Sequence, residues 1–173
     1  MNEIAAEAHT AKPVLYRYFG DKGGLYQAVA ERYVTSVMSA IREALQEDPH
    51  PKARLTTAID AYLGLVETSP EIYTFLMHRA VNEREEAQAT VADFIRQLGA
   101  EIATMLTEDL RRAGLDAHAA EPWARGIVGM VQVAGDWWLE NRTMTRERMV
   151  DHLVTLLWSG FSGLQAPSIR AAE

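Results

Sequence analysis

The sequence contains no cysteine, and it also lacks long hydrophobic runs and an excess of basic residues. The missing cysteine excludes disulfide bonds, zinc–cysteine sites and a thiol nucleophile, and it is typical of a reducing compartment. No apolar run approaches the roughly 20 residues that a membrane span requires, and the acidic N-terminus has no signal-peptide pattern. We therefore expect a cytoplasmic protein that does not enter the membrane.

The acidic excess lies entirely after residue 46. The 173 residues include 17 Lys and Arg against 24 Asp and Glu, a formal net charge of −7. Residues 1–46 carry five basic and five acidic side chains, and residues 9–24 hold three basic side chains against one acidic. The overall charge argues against nucleic-acid binding, but this basic segment leaves it open.

Apolar residues recur at helical spacing along nearly the whole chain, and the strict alternation of a β-strand is missing. The pattern predicts about eight helices separated by short breaks. It also predicts helix N-caps at Asp21 and Thr145 and a helix end at Gly114. Residues 165–173 are expected to form a flexible tail.

Two short helical segments around a tight turn stand at the N-terminus. Residues 3–9 are rich in alanine, and residues 12–19 place Pro13 in a first helical turn, where proline is tolerated. Leu15 and Phe19, four residues apart, are expected to face inward. The opposite face offers basic and aromatic side chains, which reach phosphates and base edges. The residues alone indicate a helix-turn-helix or, alternatively, a helical hairpin with a solvated charged face.

The segment IAAEAHTAKPVLYRYFGDKGGLYQAV resembles the helix-turn-helix of the TetR family of transcriptional regulators, most specifically at Leu15–Phe19. The resemblance implies an all-α fold. Residues 1–46 would form the DNA-binding domain with a connecting helix, and residues 47–164 a helical-bundle ligand-sensing and dimerisation domain. It also implies DNA contacts around the recognition helix, with Tyr16 and Lys22 on phosphates. The candidate DNA-binding residues are Lys12, Pro13, Val14, Tyr16, Arg17, Tyr18 and Lys22.

The chain departs from the family pattern in three places. The family turn reads Gly-Val-Ser, whereas this chain has His9–Thr10–Ala11, so His9 would need a positive φ and Ala11 would lose a cap worth roughly 1 kcal/mol. Gly23 and Gly24 weaken the first turn of the next helix. The family also carries a helix before the positioning helix. We expect roughly 25–35 residues of that region to be absent, which would truncate the helix-turn-helix and impair DNA binding.

Large aromatic and thioether side chains are available to line a ligand pocket, which is typically apolar with a few polar groups. The candidate ligand-binding residues are Tyr62, Tyr73, Phe75, Met77, His78, Met105, Trp123, Met130 and Trp137. Gln132 and Asp136 are further candidates for polar contacts. Core packing is the competing interpretation for the aromatic and methionine side chains, and for Asp136 the alternatives are a helix cap, an ion pair with an arginine or exposure to solvent.

The two helices near the C-terminus carry more apolar surface than one subunit usually hides. The segment 117–141 is apolar on most sides, and 146–163 is rich in leucine and aromatic residues. In the TetR family the final two helices pair with their two-fold mates, so the resemblance implies a homodimer. The candidate interface residues are Trp138, Leu153, Leu157, Trp158 and Phe161. Packing within one core is the alternative.

The leading hypothesis is a one-component transcriptional regulator, a repressor that binds a palindromic operator as a homodimer. A small apolar effector would release it from the DNA. The alternative is a helical dimeric ligand sensor or co-regulator that does not bind DNA, and a helical-bundle enzyme is a weak third option. No metal-ligand spacing is present, and residues 160–164 match a nucleophile elbow only in part. We therefore expect no enzyme, no metal and no cofactor.

Overall fold

The computed structural model of the protein describes residues 1–47, 50–80 and 85–162, which are helical without a β-strand. The prediction of an all-α fold is therefore confirmed. Eight α-helices occupy these ranges: α1 (Asn2–Glu7), α2 (Lys12–Phe19), α3 (Lys22–Glu47), α4 (Pro51–Thr68), α5 (Pro70–Thr74), α6 (Glu85–Arg112), α7 (Ala120–Asn141) and α8 (Arg146–Ser162). A π-helical segment, Phe75–Ala80, continues α5, and a short 3-10 helix, Ala117–Ala119, precedes α7. The tail predicted at 165–173 lies outside the described residues.

The chain divides into two compact units. The N-terminal unit comprises residues 1–36 and the described residues of 71–94, and the C-terminal unit comprises 37–70 and the described residues from 95 onward. The domain boundary expected after residue 46 stays a prediction. Within the N-terminal unit the π-helical segment packs onto α3. Leu76 and Ala30, 1% and 0% exposed, form a core with Val29, Tyr33 and Phe75 around them.

The turn between α1 and α2 is closed by a residue in the left-handed conformation. His9 has a φ of +47°, as the sequence predicted. Its N–H donates to the Ala6 carbonyl at 3.2 Å, and the Thr10 N–H donates to the Ala5 carbonyl at 2.9 Å, the two hydrogen bonds of a Schellman helix end. Ala11 then caps α2 without a side-chain hydrogen bond, also as predicted. The turn therefore carries both backbone strain and an unfilled cap.

Glycine is required where α3 begins, close to the end of α2. A Cβ on Gly24 would lie 1.9 Å from the carbonyl oxygen of Phe19, which is a backbone atom that cannot rotate away. Gly23 and Gly24 were expected only to weaken the first turn of α3, and for Gly24 this expectation is incomplete, since no Cβ fits there. Asp21 accepts a 2.8 Å hydrogen bond from the Gly24 N–H, which confirms the predicted N-cap. The close approach and the cap together set the direction of α3 relative to α2.

The core of the C-terminal unit forms where α4 packs against α7 and α8. Gly135 allows the α4–α7 contact, since a Cβ there would lie 3.3 Å from Leu63 Cδ2 and 3.5 Å from Tyr62 Cε1. Trp138 is 1% exposed, and its indole N–H donates to the Met144 carbonyl at 2.8 Å. This hydrogen bond satisfies the buried indole and ties the α7–α8 turn to α7.

Charged side chains connect α4 to the α7–α8 turn. Arg146 donates through Nε to Asp60 at 2.8 Å and through Nη1 to Glu67 at 3.3 Å. Arg142, which has a φ of +48° at the end of α7, donates to Glu67 at 3.4 Å. Gly64 leaves room for the Arg146 guanidinium, whose Nη1 would lie 3.2 Å from a Cβ at that position. Because these groups are partly exposed, the ion pairs add little to the stability of the fold, and their main effect is to orient the α7–α8 turn on α4.

The two remaining predicted helix ends are also confirmed. Gly114 has a φ of +70°, and the Leu115 N–H donates to the Leu110 carbonyl at 2.9 Å to close α6. The Thr145 hydroxyl accepts a hydrogen bond from the Arg148 N–H at 3.4 Å, at the start of α8. Local residue chemistry therefore defines the ends of these helices.

Candidate functional site

The solvent-exposed surface of α2 carries basic and aromatic side chains. Lys12 and Arg17 are exposed, and the Tyr16 and Tyr18 side chains are 43% and 70% exposed. Leu15, by contrast, is 8% exposed and lies on the inner side of the same helix. The helical period accounts for Tyr16 and Arg17, which turn away from position 15. Tyr18, three residues after Leu15, lies nearer to its side of the helix and is nevertheless exposed. The structure thus presents the predicted DNA-binding side chains of α2 to solvent, with Pro13 exposed and Val14 half-buried beside them.

Each cation in this region lies over an aromatic ring. Lys12 Nζ is 5.7 Å from the centroid of the Tyr16 ring, and Arg17 Cζ is 5.2 Å from that of Tyr18. These distances are within the range of a cation–π interaction. The two pairs hold positive charge and phenol hydroxyls on the exposed surface of α2, Lys12 with Tyr16 one turn apart and Arg17 with Tyr18 further round the helix. Such a surface can bind phosphate oxygens and the edges of bases.

Lys22 extends the same chemistry to the first residue of α3. Its side chain is exposed, and Nζ lies 5.2 Å from the centroid of the Tyr26 ring, one turn further along the helix. The Asp21 carboxylate beside it is turned toward the Gly24 N–H. A lysine at a helix N-terminus adds its charge to that of the helix dipole, and both favour a phosphate.

The predicted ligand-binding residues fall in both compact units. Tyr73, which is 1% exposed, Phe75 and Met77 belong to the N-terminal unit. Those in the C-terminal unit are Tyr62, Met105, Trp123, Met130 and Trp137. The Trp137 side chain is 47% exposed, whereas Tyr62 is 8% exposed. The side chain of His78 lies outside the described residues.

The predicted interface residues are divided between core and surface. Trp138 and Leu153 are 1% and 6% exposed, so the structure places both in the core of their own chain rather than on the surface. Leu157 and Trp158 are half-buried, and the side chain of Phe161 lies outside the described residues. Trp138 and Leu153 therefore have little area left to offer a partner.

Other apolar side chains of α7 and α8 are exposed instead. Val133, Trp137 and Leu156 are 68%, 47% and 64% exposed. A Cβ added at Gly126 or Gly129, on the preceding turns of α7, would meet no atom within 4 Å. None of these residues was among the predicted interface residues. The run of small residues at 126, 129 and 133, which share one side of α7, could have indicated this exposed side of the helix.

Neither a metal site nor a membrane span is found in the described ranges. Residues 1–47, 50–80 and 85–162 contain no group of three or more His, Asp or Glu side chains that could hold a metal ion. Within the same ranges, no helix is long and apolar enough to cross a membrane.

Two sequence families match this chain, one in each half. The family described as "Bacterial regulatory proteins, tetR family" matches residues 1–29, which include α1, α2 and the start of α3. The family described as "Tetracyclin repressor-like, C-terminal domain" matches residues 40–168, which is most of the chain.

Individual relatives point in the same direction. The chain is 36% identical to an uncharacterized HTH-type transcriptional regulator of Mycobacterium tuberculosis, over 95% of this chain and 69% of that protein. It is 32% identical to the HTH-type transcriptional activator FasR of Mycolicibacterium smegmatis, over 94% of this chain and 73% of that protein. The fold is similar to the crystal structure of a TetR-like transcriptional regulator from Rhodococcus sp. RHA1, with a TM-score of 0.69 and 24% identity, covering 94% of this chain and 84% of that one.

Proposed function

Since this chain belongs to the TetR family of bacterial transcriptional regulators, we propose that it binds operator DNA as a homodimer through α2 and the start of α3. The observation that carries this proposal is the exposed face of α2, where Lys12 and Arg17 lie over the Tyr16 and Tyr18 rings. Lys22 adds a third cation at the start of α3. The net charge of −7 is compatible with DNA binding, because the excess acidic residues all follow residue 46, after the proposed DNA-binding surface.

The side chains divide between positioning and base recognition. We assign Tyr16 and Lys22 to DNA phosphates, because a hydroxyl and an ammonium can both bind phosphate oxygens and so set the register of α2 on the duplex. Arg17 is suited to a guanine edge, to which a guanidinium can donate two hydrogen bonds. Lys12, Pro13, Val14 and Tyr18 complete the surface that enters the major groove.

Footprinting on the DNA that flanks the protein's own gene tests this assignment. We expect two protected half-sites related by a two-fold axis, with their centres about one helical turn, or 34 Å, apart. Protection of a single half-site would contradict the dimeric arrangement. A complete lack of protection, also by a protein extended upstream to carry the helix that the family pattern places before α1, would favour the alternative function, a helical ligand sensor or co-regulator that does not bind DNA.

For the homodimer we propose a surface that differs from the sequence assignment. It consists of Val133, Trp137 and Leu156, with Gly126 and Gly129 on the same side of α7. Apolar side chains exposed to this extent are typical of protein interfaces. The small residues allow a partner helix to approach α7 closely. Leu157 and Trp158, which are half-buried, are available at the margin.

Sedimentation velocity tests the dimer surface. The double variant Val133→Glu/Leu156→Glu places two charges in the proposed interface, so we expect it to sediment as a monomer at a concentration where the wild type is a dimer. The matched control is Ile72→Glu, which also introduces a charge at an exposed apolar residue, 40% exposed, in the N-terminal unit. A double variant as dimeric as the control would contradict this surface.

We further propose that a small apolar effector binds among the aromatic and methionine side chains of the C-terminal unit and lowers DNA affinity, so that the protein acts as a cytoplasmic repressor. The coupling is reciprocal: DNA lowers effector affinity by the same factor. Activation is a second candidate, because one relative is named a transcriptional activator. In vitro transcription from the footprinted promoter distinguishes them, since a repressor lowers and an activator raises the transcript yield.

A further inference from the structure

The Lys22 ammonium lies over the Tyr26 ring, and the Tyr26 ring in turn packs against Phe75. The Lys22 Nζ lies 5.2 Å from the centroid of the Tyr26 ring, at the i, i+4 spacing of one helical turn. The Tyr26 ring in turn meets the Phe75 ring edge to face, with centroids 4.6 Å apart and planes at 72°. This is the preferred geometry of an aromatic pair.

Phe75 connects this pair to the core of the N-terminal unit. It is the first residue of the π-helical segment and packs against the cluster formed by Leu76 and Ala30, which are 1% and 0% exposed. The order of contact is therefore Lys22, Tyr26, Phe75 and then the buried cluster. A π-helical segment is an uncommon geometry that often occurs at functional positions.

The other two cation–π pairs of the DNA-binding face differ in their surroundings. Tyr16 and Tyr18 are 43% and 70% exposed. Tyr26 is only half-buried but makes the ring contact with Phe75. Its orientation therefore depends on the position of the π-helical segment as well as on its own helix.

We propose that Tyr26 is a positioning residue for the contact between Lys22 and a DNA phosphate, and that Phe75 makes this positioning depend on the π-helical segment. The inference rests on the proposed function, which assigns Lys22 to a phosphate. A lysine side chain is flexible, and a ring that restrains it before binding reduces the entropy lost when the phosphate contact forms. A displacement of Phe75 releases Tyr26, and the contact weakens.

The pair itself is tested without DNA, by nuclear magnetic resonance of the full chain. Protons that lie over an aromatic face are shifted upfield, so we expect upfield-shifted ε-methylene protons of Lys22 in the wild type. The shift should persist in Tyr26→Phe, which keeps the ring, and disappear in Tyr26→Leu, which keeps an apolar side chain without a π face. Unshifted Lys22 protons in the wild type would overturn the proposal whether or not the protein binds DNA.

The positioning role is tested by a double-mutant cycle on binding of a mixed-sequence DNA duplex at low salt. Lys22→Ala and Tyr26→Leu should each weaken binding, the latter by about two- to five-fold. The double variant should bind no more weakly than Lys22→Ala alone, and Tyr26→Phe should bind like the wild type. Phe75→Leu should lower affinity in the wild-type background and have no effect in the Lys22→Ala background.

The outcomes separate this proposal from the one on which it rests. Additive losses for Lys22→Ala and Tyr26→Leu, or a loss in Tyr26→Phe equal to that in Tyr26→Leu, overturn the positioning role while leaving DNA binding intact. If Lys22→Ala binds the duplex like the wild type, the phosphate assignment fails and the role of Tyr26 fails with it. In that case an upfield shift of the Lys22 protons would still show that Lys22 lies over the Tyr26 ring, but without a role in DNA binding. Thermal melting by circular dichroism verifies that each variant is folded.

Discussion

Replacing Gly24 by alanine is the sharpest test of how the helix-turn-helix is assembled. The added Cβ would lie 1.9 Å from the Phe19 carbonyl oxygen, whereas a Cβ essentially never comes within 3.0 Å of a non-bonded heavy atom of a distant residue. The end of α2 and the start of α3 must therefore move apart by more than 1 Å. Overpacking of this kind costs about 1–3 kcal/mol, toward the upper end here because the neighbour is backbone. Alanine recovers up to about 1 kcal/mol of helix propensity, which leaves a net loss of about 1–2 kcal/mol.

Urea unfolding followed by circular dichroism measures this loss. The matched control is Gly99→Ala in α6, where the new Cβ would lie 3.9 Å from Arg125 Cγ, an ordinary contact. The control should be more stable than the wild type by up to about 1 kcal/mol. Gly24→Ala should also bind DNA more weakly, because α2 and Lys22 no longer keep their spacing. A Gly24→Ala variant as stable as the wild type, with the control behaving as expected, would refute the close approach.

The remaining predictions concern the strained turn, its cap and a buried tyrosine. His9→Gly should raise stability by about 0.5–1 kcal/mol, because glycine adopts the φ of +47° without steric strain, and an unchanged urea midpoint would contradict this. Ala11→Ser should add about 1 kcal/mol by supplying the missing side-chain cap of α2, measured in the same way. Burial raises the pKa of Tyr33 to about 12, so the unfolded chain loses this proton first and stability falls as the pH rises from 10 toward 12. Tyr33→Phe should flatten this alkaline loss while changing little at neutral pH, because the buried Tyr33 hydroxyl has no hydrogen-bond partner among the described residues. Parallel stability–pH curves for the two proteins would show that Tyr33 is not responsible.

Local chemistry made much of this architecture predictable from the sequence. The positive φ of His9, the cap at Asp21 and the helix end at Gly114 each depend on one or two residues and their immediate neighbours. The exposed face of α2 follows from helical periodicity, because Leu15 turns inward and Arg17 outward. Such features need no knowledge of what the helix packs against.

Tertiary contacts account for what the sequence did not reveal. The segment 117–141 is apolar on most sides, so its pattern does not single out one inner face. The adjacent tryptophans illustrate this, because Trp138 is 1% exposed and Trp137 is 47% exposed. The need for glycine at residue 24 and the packing of Leu76 near Ala30 arise between helices, where spacing along one helix carries no information.

The salt dependence of DNA binding tests the central claim most directly. Fluorescence anisotropy on the flanking-gene duplex, between about 50 and 200 mM salt, compares the wild type with Lys12→Ala/Arg17→Ala/Lys22→Ala. The matched control removes three exposed cations of the C-terminal unit, by Lys52→Ala/Arg111→Ala/Arg148→Ala. We expect the first variant to bind more weakly, with a log–log salt slope shallower by about 1 for each phosphate contact removed, and the control to keep the wild-type slope. Equal slopes for all three proteins would contradict DNA recognition through α2 and the start of α3.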